Sequence, residues 1–303
     1  TKALAAAAAA GLDAQQLAAT EALLQRQLVL LLGGPGTGKT STVARMLEAA
    51  LAIEPQLRIQ LAAPTGKAAA RLSAALTGEP PLPCSTLHRL LEARGSNRFG
   101  RDARRPLELD LLVVDELSMV DLPLMSALLN ALPPTARLLL VGDAGQLPPV
   151  GTGAVLEELC RPACREQLGS AVIELTTTYR NNGAIAAMAA ALRQPQPSGG
   201  DPLEALRPQL DQLPPDANLQ WLEAPLPQLP AAVLQPLREQ QQQLRDLSQA
   251  LRWQGEQVHP EDSAALLEAL EARIALSPLR QGPWGIEALH RALLGSGMGA
   301  PLE

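Results

Sequence analysis

Eight residues constrain this chain more than any others: Gly33-Gly34-Pro35-Gly36-Thr37-Gly38-Lys39-Thr40. Ahead of them runs the apolar stretch Leu28 to Leu32, and behind them Ser41 to Ala52 has helical character. A strand, a glycine loop and a helix in that order are the context a phosphate loop requires. The glycines let the backbone turn its N–H groups inward around a phosphate, and the helix N-terminus adds its dipole. Gly34, Pro35, Gly36, Thr37, Gly38, Lys39, Thr40 and Ser41 are then the nucleotide cradle, with Lys39 on the terminal phosphates and the Thr40 hydroxyl beside Mg²⁺. The bland reading, a glycine turn with an incidental lysine, leaves that combination unexplained.

A phosphate loop calls for an acidic partner at the end of a later strand. Leu109 to Val114 is such a strand, and it stops at Asp115-Glu116. Asp115 suits Mg²⁺, directly or through water, and Glu116 suits orienting and deprotonating an attacking water. A further strand, Arg137 to Val141, ends in Gly142-Asp143-Ala144-Gly145-Gln146-Leu147, where Gln146 can sense a γ-phosphate. Between these, Arg58 to Ala63 reads as a strand leading into Pro64-Thr65-Gly66-Lys67 and an alanine-rich helix, Ala68 to Leu76. Thr65 and Lys67 either hold a backbone phosphate of a polymer or cap and solvate that helix. Ser85 to Leu90 begins a short helix in which His88 is either a satisfied buried imidazole or a ligand contact. Asp121 caps a helix reaching about Ala131, and Ala154 to Cys160 is another.

The alternation of strand and helix from Leu28 to Cys160 predicts an α/β fold, a mostly parallel sheet with both faces covered. Three segments follow: 1–27, an amphipathic helix over Leu12 to Arg26 leading into the sheet; 28–164, the first domain; and 165–303, a second domain entered around Arg161-Pro162. The second segment carries an arginine-rich insertion, 94–105, in which Arg94, Arg98, Arg101, Arg104 and Arg105 face Asp102. It reads as a hairpin or exposed loop, serving phosphate contact and base stacking or simply solvated. The third is predicted to hold strands at Val172 to Leu175, Asn218 to Leu222 and Arg273 to Ser277. Its helices are predicted at Ala184 to Leu192, Leu237 to Leu251, Asp262 to Glu271 and Gly285 to Leu294. Gln194 to Pro202 is a connector, and the Gln240 to Gln243 run suggests no chemistry. Arg180, just past the first of these strands, is either an arginine reaching a γ-phosphate or a surface ion-pair partner. Gln16 is likewise a surface glutamine or an adenine-contacting amide.

At 303 residues the chain has room for two cores. With 47% hydrophobic and 18% charged residues but one Phe, one Tyr and three Trp, those cores are aliphatic. A net charge of −6 argues against a protein wrapped in nucleic acid and leaves room for a local basic channel. Cys84, Cys160 and Cys164 form no disulfide framework, which points to a reducing compartment, and they read as small core residues rather than zinc ligands. The Ala3 to Ala10 run has neither a cleavage signature nor the bulk of a membrane span; it reads as the tail of a helix or linker cut from something longer. Only three of the 25 basic residues are lysines, Lys2, Lys39 and Lys67, and the two interior ones both lie in motif-like loops.

These residues, taken in order, resemble the RecD family within the superfamily 1 DNA helicases that move 5′ to 3′. The resemblance runs from about Leu12 to Leu294. Gln16 matches the family's adenine-reading glutamine, Gly33 to Thr40 motif I, and Ala63 to Ala69 with Arg71-Leu72 the DNA-contacting motif Ia. Ser85 to Leu90 match the stretch after it, and Asp115-Glu116 match motif II, where Leu117 replaces the usual alanine. Gly142-Asp143 and Gln146-Leu147 match motif III, Tyr179-Arg180 match motif IV, and Gly282 to Ile286 resemble a segment of the second motor domain.

The resemblance implies a RecA-like first domain, part of a second one, ATP and Mg²⁺ as cofactors, single-stranded DNA as partner and no membrane. Lys39, Glu116, Gln146 and Arg180 become catalytic expectations, Arg180 as an arginine finger. Pro64, Thr65, Lys67, Thr86, His88 and Arg89 become DNA-side expectations. RecB-like and RecC-like subunits, a cytoplasmic place and association with the nucleoid are implied for a full-length protein. Counterparts of the family's amino-terminal docking domain and of motifs V and VI are missing, so the chain reads as a fragment. Competing classes are a regulatory or assembly P-loop ATPase, a stand-alone RecD-like helicase and a small-molecule kinase, for which no acceptor pocket is nameable. A nuclease has no support, because the one acidic pair is committed to nucleotide chemistry.

Overall fold

A computed structural model describes residues 13–76, 81–95, 98–177, 184–193, 202–214, 217–225 and 227–294. By compactness the chain divides into two units, Thr1–Leu206 and Arg207–Glu303.

In the first unit, α1 (Ala14–Gln25) precedes β1 (Leu28–Gly33), and α2 (Lys39–Ile53) leads to β2 (Ile59–Ala63). Then come α3 (Gly66–Ala75), β3 (Cys84–Thr86), α4 (Leu87–Leu90), β4 (Leu111–Val114) and α5 (Leu122–Ala131). β5 (Arg137–Gly142), α6 (Val155–Cys160), α7 (Pro162–Leu168), β6 (Val172–Leu175) and α8 (Ala184–Arg193) follow. α9 (Pro202–Asp211), with Pro208 inside it, was not anticipated, and the division between the units falls within it. The six strands form one sheet in the order β3-β2-β4-β5-β1-β6, every pairing parallel. The predicted α/β fold is therefore the observed one.

Side chains alternate across a strand, so each apolar run feeds two cores. Leu30, Leu32, Leu112, Val114, Leu138 and Leu140 pack on one face with Leu124, Met125 and Leu128 of α5 and Leu156 of α6. Val29, Leu31, Leu111, Val113, Leu139 and Val141 pack on the other with Ala19 and Leu23 of α1, Val43 and Met46 of α2 and Leu72 of α3. Burying each Leu or Val stabilises by about 1.5–3 kcal/mol, which is why leucine, valine and alanine suffice without aromatic residues.

Two local readings need correction. Ser85 and Thr86 belong to strand β3, and the helix starts only at Leu87, because Cys84 to Thr86 find a parallel partner in Leu61 to Ala63. Val172–Leu175, predicted to open the second domain, pairs with Leu30 to Gly33 of β1 as the sixth strand of the first sheet. A free backbone edge on β1 is what makes that place available. The compact division accordingly falls at 206/207 and not near Arg161-Pro162.

The second unit holds α10 (Ala231–Gln249), the antiparallel pair β7 (Trp253–Gln254) and β8 (Gln257–Val258), α11 (Pro260–Glu271) and α12 (Ile286–Leu294). Asn218 to Leu222 and Arg273 to Ser277 are not strands, and α10 starts at Ala231 because Pro236 is accommodated inside it. Within the featureless glutamine run one residue stands apart. Gln240 is 6% exposed, and its Nε2 donates to the carbonyls of Ala269 (2.8 Å), Leu270 (3.1 Å) and Arg273 (3.1 Å) at the end of α11. The first two are among the carbonyls that a helix end leaves without partners, and the third lies just beyond it. Gln240→Leu strands them and should destabilise this unit by about 2 kcal/mol. The chain's three tryptophans, Trp221, Trp253 and Trp284, all fall in this unit, so urea unfolding followed by tryptophan fluorescence reads the loss directly.

Candidate nucleotide site

Parallel strands present all their carboxyl ends on one edge of the sheet, the edge where α/β folds bind ligands. Because β5 lies between β4 and β1, three loops leave that edge side by side, with Leu32 level with Gly142 and Val114 level with Leu140. Neighbouring strands are about 4.8 Å apart, so the loops after β4 and β1 are separated by about 10 Å. Across β4, Ala63 of β2 is level with Thr86 of β3, which aligns the Pro64 and Leu87 loops on the same edge. Most residues expected to act therefore share one rim, although they come from five different stretches of sequence.

In the glycine loop, Gly36 and Gly38 take φ of 76° and 80°, values that side-chain-bearing residues rarely adopt. Thr37 is buried and its hydroxyl donates to Gly34 O at 2.9 Å, closing the turn. A Cβ on Gly33 would sit 2.5 Å from that hydroxyl oxygen. Lys39 Nζ donates to Gly33 O (2.6 Å) and Gly34 O (3.1 Å), which holds the ammonium inside the loop. Thr40 and Ser41 follow in the first turn of α2, with Ser41 Oγ donating to Gly38 O.

Asp115 ends β4, and its Oδ1 accepts from the Glu116 N–H at 2.8 Å. Glu116 adopts φ 54°, ψ 44°, a left-handed conformation costly for a residue with a side chain and common at functional sites. Burial raises the Asp115 pKa, opposed by the Glu116 N–H and by the Lys39 charge. Glu116 is raised by burial and by the neighbouring Asp115 and Asp143 carboxylates, with Lys39 and Arg71 opposing. Lys39, with Arg71 acting on Glu116, faces a partly desolvated cluster of three acids, an arrangement short of positive charge. Among the described residues no group of three or more His, Cys, Asp or Glu is placed to hold a metal. Asp115 and Thr40 are hard oxygen donors that suit Mg²⁺ when phosphate and water supply the remaining ligands. A nucleotide polyphosphate with its cation fits this donor set.

The turn after β5 is built on Asp143, whose Oδ1 accepts from Gly145 N (2.9 Å) and whose carbonyl accepts from Gln146 N (3.1 Å). Gln146 is exposed, and its Oε1 accepts from the hydroxyl of buried Ser118 at 3.0 Å. The sequence places Ser118 in the Leu117-Ser118-Met119 continuation of motif II but assigns it no role.

Gln16 sits in the first turn of α1 in a reciprocal cap: its N–H donates to Asp13 Oδ1 (2.8 Å) and its Oε1 accepts from Asp13 N (3.2 Å). Its neighbour Gln15, unremarked in the sequence, exchanges hydrogen bonds with Thr176 just past β6, at 3.0 and 3.1 Å. Arg180 and Tyr179 lie outside the described residues. On the other flank, Thr65 caps α3 through Ala68 N, and Thr86 caps α4 through Arg89 N, both at 3.2 Å. Lys67, His88 and Arg89 are exposed, which removes the buried-imidazole reading of His88; its ring lies 6.3 Å from that of Phe99.

The arginine-rich segment folds back as expected, with bridges Ala93↔Phe99 and Asp102↔Arg105. Its main anion is Glu92, just outside the segment: Glu92 accepts from Arg101 and from Arg105 at 2.8 Å each, and Arg94 lies 3.8 Å away. The three cysteines are free and half-buried; Cys160 packs against one apolar core and Cys84 against the other, as expected of small core residues, whereas Cys164 does neither.

The raised Asp115 pKa has a sign that experiment can check. Between the ordinary carboxylate pKa near 4 and the higher folded value, the native state holds the proton more tightly than the unfolded chain, so stability falls as pH rises. Asp115→Asn keeps the acceptor for Glu116 N–H and removes the charge. It should raise the melting temperature of the nucleotide-free protein at pH 7, with the gain vanishing below about pH 4.

Residues 15–152 match the family model described as an AAA domain. A RecD subunit of the RecBCD enzyme from Mycolicibacterium smegmatis is 48% identical over 207 residues, 61% of this chain and 36% of that protein. The RecD subunit from Haemophilus influenzae is 42% identical over 195 residues, 57% of this chain and 30% of its own length. The ATP-dependent RecD2 DNA helicase of Deinococcus radiodurans is 42% identical over 194 residues, 63% of this chain and 25% of its own. In structure, the Pif1 helicase of Candida albicans aligns with a TM-score of 0.48 and 21% identity over 81% of this chain and 56% of that one. The chain spans between a quarter and just over a third of the length of the three curated relatives. The resemblance read from the motifs is borne out as a similarity: over the stretch it shares with them, this chain is similar to RecD subunits of the RecBCD enzyme, on an α/β fold that carries the phosphate loop.

Proposed function

We propose that this chain carries the ATP-hydrolysing part of a DNA helicase that translocates 5′ to 3′ on single-stranded DNA. The observation carrying this reading is the single rim on which Lys39, Asp115, Glu116 and Gln146 meet, with Thr65, Lys67, Thr86, His88 and Arg89 further along the same edge. Residues 34–41 hold the polyphosphate, and Thr40 with Asp115 holds Mg²⁺. The bound cation would neutralise phosphate charge as the terminal bond breaks. Glu116, its proton affinity raised by burial and by Asp115, accepts the proton of the attacking water. Gln146 joins the γ-phosphate to the turn that borders the DNA side. Gln16 faces the adenine, which requires its amide to leave the cap it forms with Asp13. Arg180 is the arginine finger by motif alone.

For the full-length protein, the matched RecD subunits of the RecBCD enzyme support RecB-like and RecC-like partners; the recombinational repair of double-strand breaks in the cytoplasm is the role proposed for such a complex. No described helix is long and apolar enough to cross a membrane. The Deinococcus relative bears the name of an ATP-dependent DNA helicase and not of a RecBCD subunit, which favours a second reading, a RecD-like helicase working alone; copurification of the full-length protein with or without such partners separates the two.

The test is ATP turnover with and without single-stranded DNA. DNA should stimulate turnover, Lys39→Ala should abolish it, and Glu116→Gln should keep nucleotide affinity while cutting turnover about a hundredfold or more. Unchanged turnover in Lys39→Ala would sink the assignment, and turnover indifferent to DNA in the full-length protein would favour a regulatory ATPase. On the DNA side, Arg89→Ala should weaken binding equally for all sequences and lower the slope of log affinity against log salt by about one. An unchanged slope takes Arg89 out of the phosphate contacts.

A further inference from the structure

We infer that Ser118 is a positioning residue that makes Gln146 a hydrogen-bond donor toward the γ-phosphate, a role that rests on the nucleotide reading above. Ser118 is 4% exposed on the short 3₁₀ turn Leu117–Met119, directly after Glu116. Its hydroxyl donates to Gln146 Oε1 at 3.0 Å. A carboxamide has one oxygen and one NH₂ group, and a half-turn about its last bond exchanges them. With the oxygen engaged by a buried hydroxyl, both Nε2 hydrogens remain for whatever lies on the open side, and Gln146 is exposed there.

The arrangement decides between two chemical roles for one side chain. A glutamine that orients an attacking water needs its oxygen to accept from that water. A glutamine that reads the presence of a γ-phosphate needs only its N–H groups, because phosphate oxygens are acceptors. Ser118 holds the oxygen toward the protein and so turns the NH₂ group toward the open side, which matches the second role. The two residues sit on different loops, after β4 and after β5, so the bond also ties the acidic pair to the sensor turn. A cavity of about 110 Å³ borders both Ser118 and Gln146. Water entering it can replace the hydroxyl in Ser118→Ala, so that variant loses the orientation of the amide without leaving a polar group stranded.

The experiment compares affinities for a non-hydrolysable ATP analogue and for ADP by calorimetry, in wild type, Ser118→Ala, Gln146→Ala, the double variant and Ser118→Thr. Wild type should prefer the triphosphate. Ser118→Ala should lose about tenfold of that preference, the size of one hydrogen bond to a charged group, with ADP affinity unchanged. In the Gln146→Ala background the same change should cost nothing further, and Ser118→Thr, which retains a hydroxyl, should restore the preference. Additive losses in the double variant, equal weakening of both nucleotides, or full preference retained in Ser118→Ala would each overturn the inference while leaving the nucleotide site standing. A wild type that binds neither nucleotide would overturn the site itself, and the inference with it.

Discussion

The pairing of β5 between β4 and β1 is the constraint on which everything else depends. It sets the spacing between a loop that can wrap phosphate and a pair of carboxylates, and it inserts a third loop between them. The backbone ladder does this with six parallel strands whose fully buried side chains are all aliphatic. Both faces of the sheet are aliphatic, so the rim is the one place where polar chemistry is inexpensive, and the charged groups collect there.

The rim carries the electrostatic cost of its own purpose. Asp115, Glu116 and Asp143 crowd one lysine, and burial pushes the first two toward the protonated state. Glu116 adds a left-handed backbone. A structure optimised for stability alone would dilute these acids or hold them in water. Their persistence in a desolvated cluster makes sense when a ligand brings positive charge along with its phosphates, and binding is then coupled to relief of repulsion already present in the free protein.

Legibility in the sequence followed the range of the interactions. The glycine loop, the acidic pair and the cap at Asp121 were readable because each is a local pattern beside an apolar run. The membership of Val172–Leu175 in the first sheet was not, since a four-residue strand suits any free edge and only tertiary context selects one. Glu92 was missed as the anion of the arginine-rich segment because it lies before the segment and is brought back by a turn at its own positive φ. Gln240 looks like each of the next three glutamines until the end of α11 picks it out. The roles of Ser118 and Gln15 were invisible for the same reason: each residue meets its partner, 28 or 161 residues away, only after the sheet has formed.

The place of β6 bears on how this protein can be divided. The AAA match ends at residue 152, before α6, α7 and β6, yet β6 covers the outer side of β1 from Leu30 to Gly33. A segment cut at that match boundary would leave the strand that launches the glycine loop as a bare margin, its N–H and C=O groups open to any other extended chain. Such a piece invites self-association through the very strand its chemistry needs held still, so the smallest sound unit for handling in isolation extends at least through Leu175.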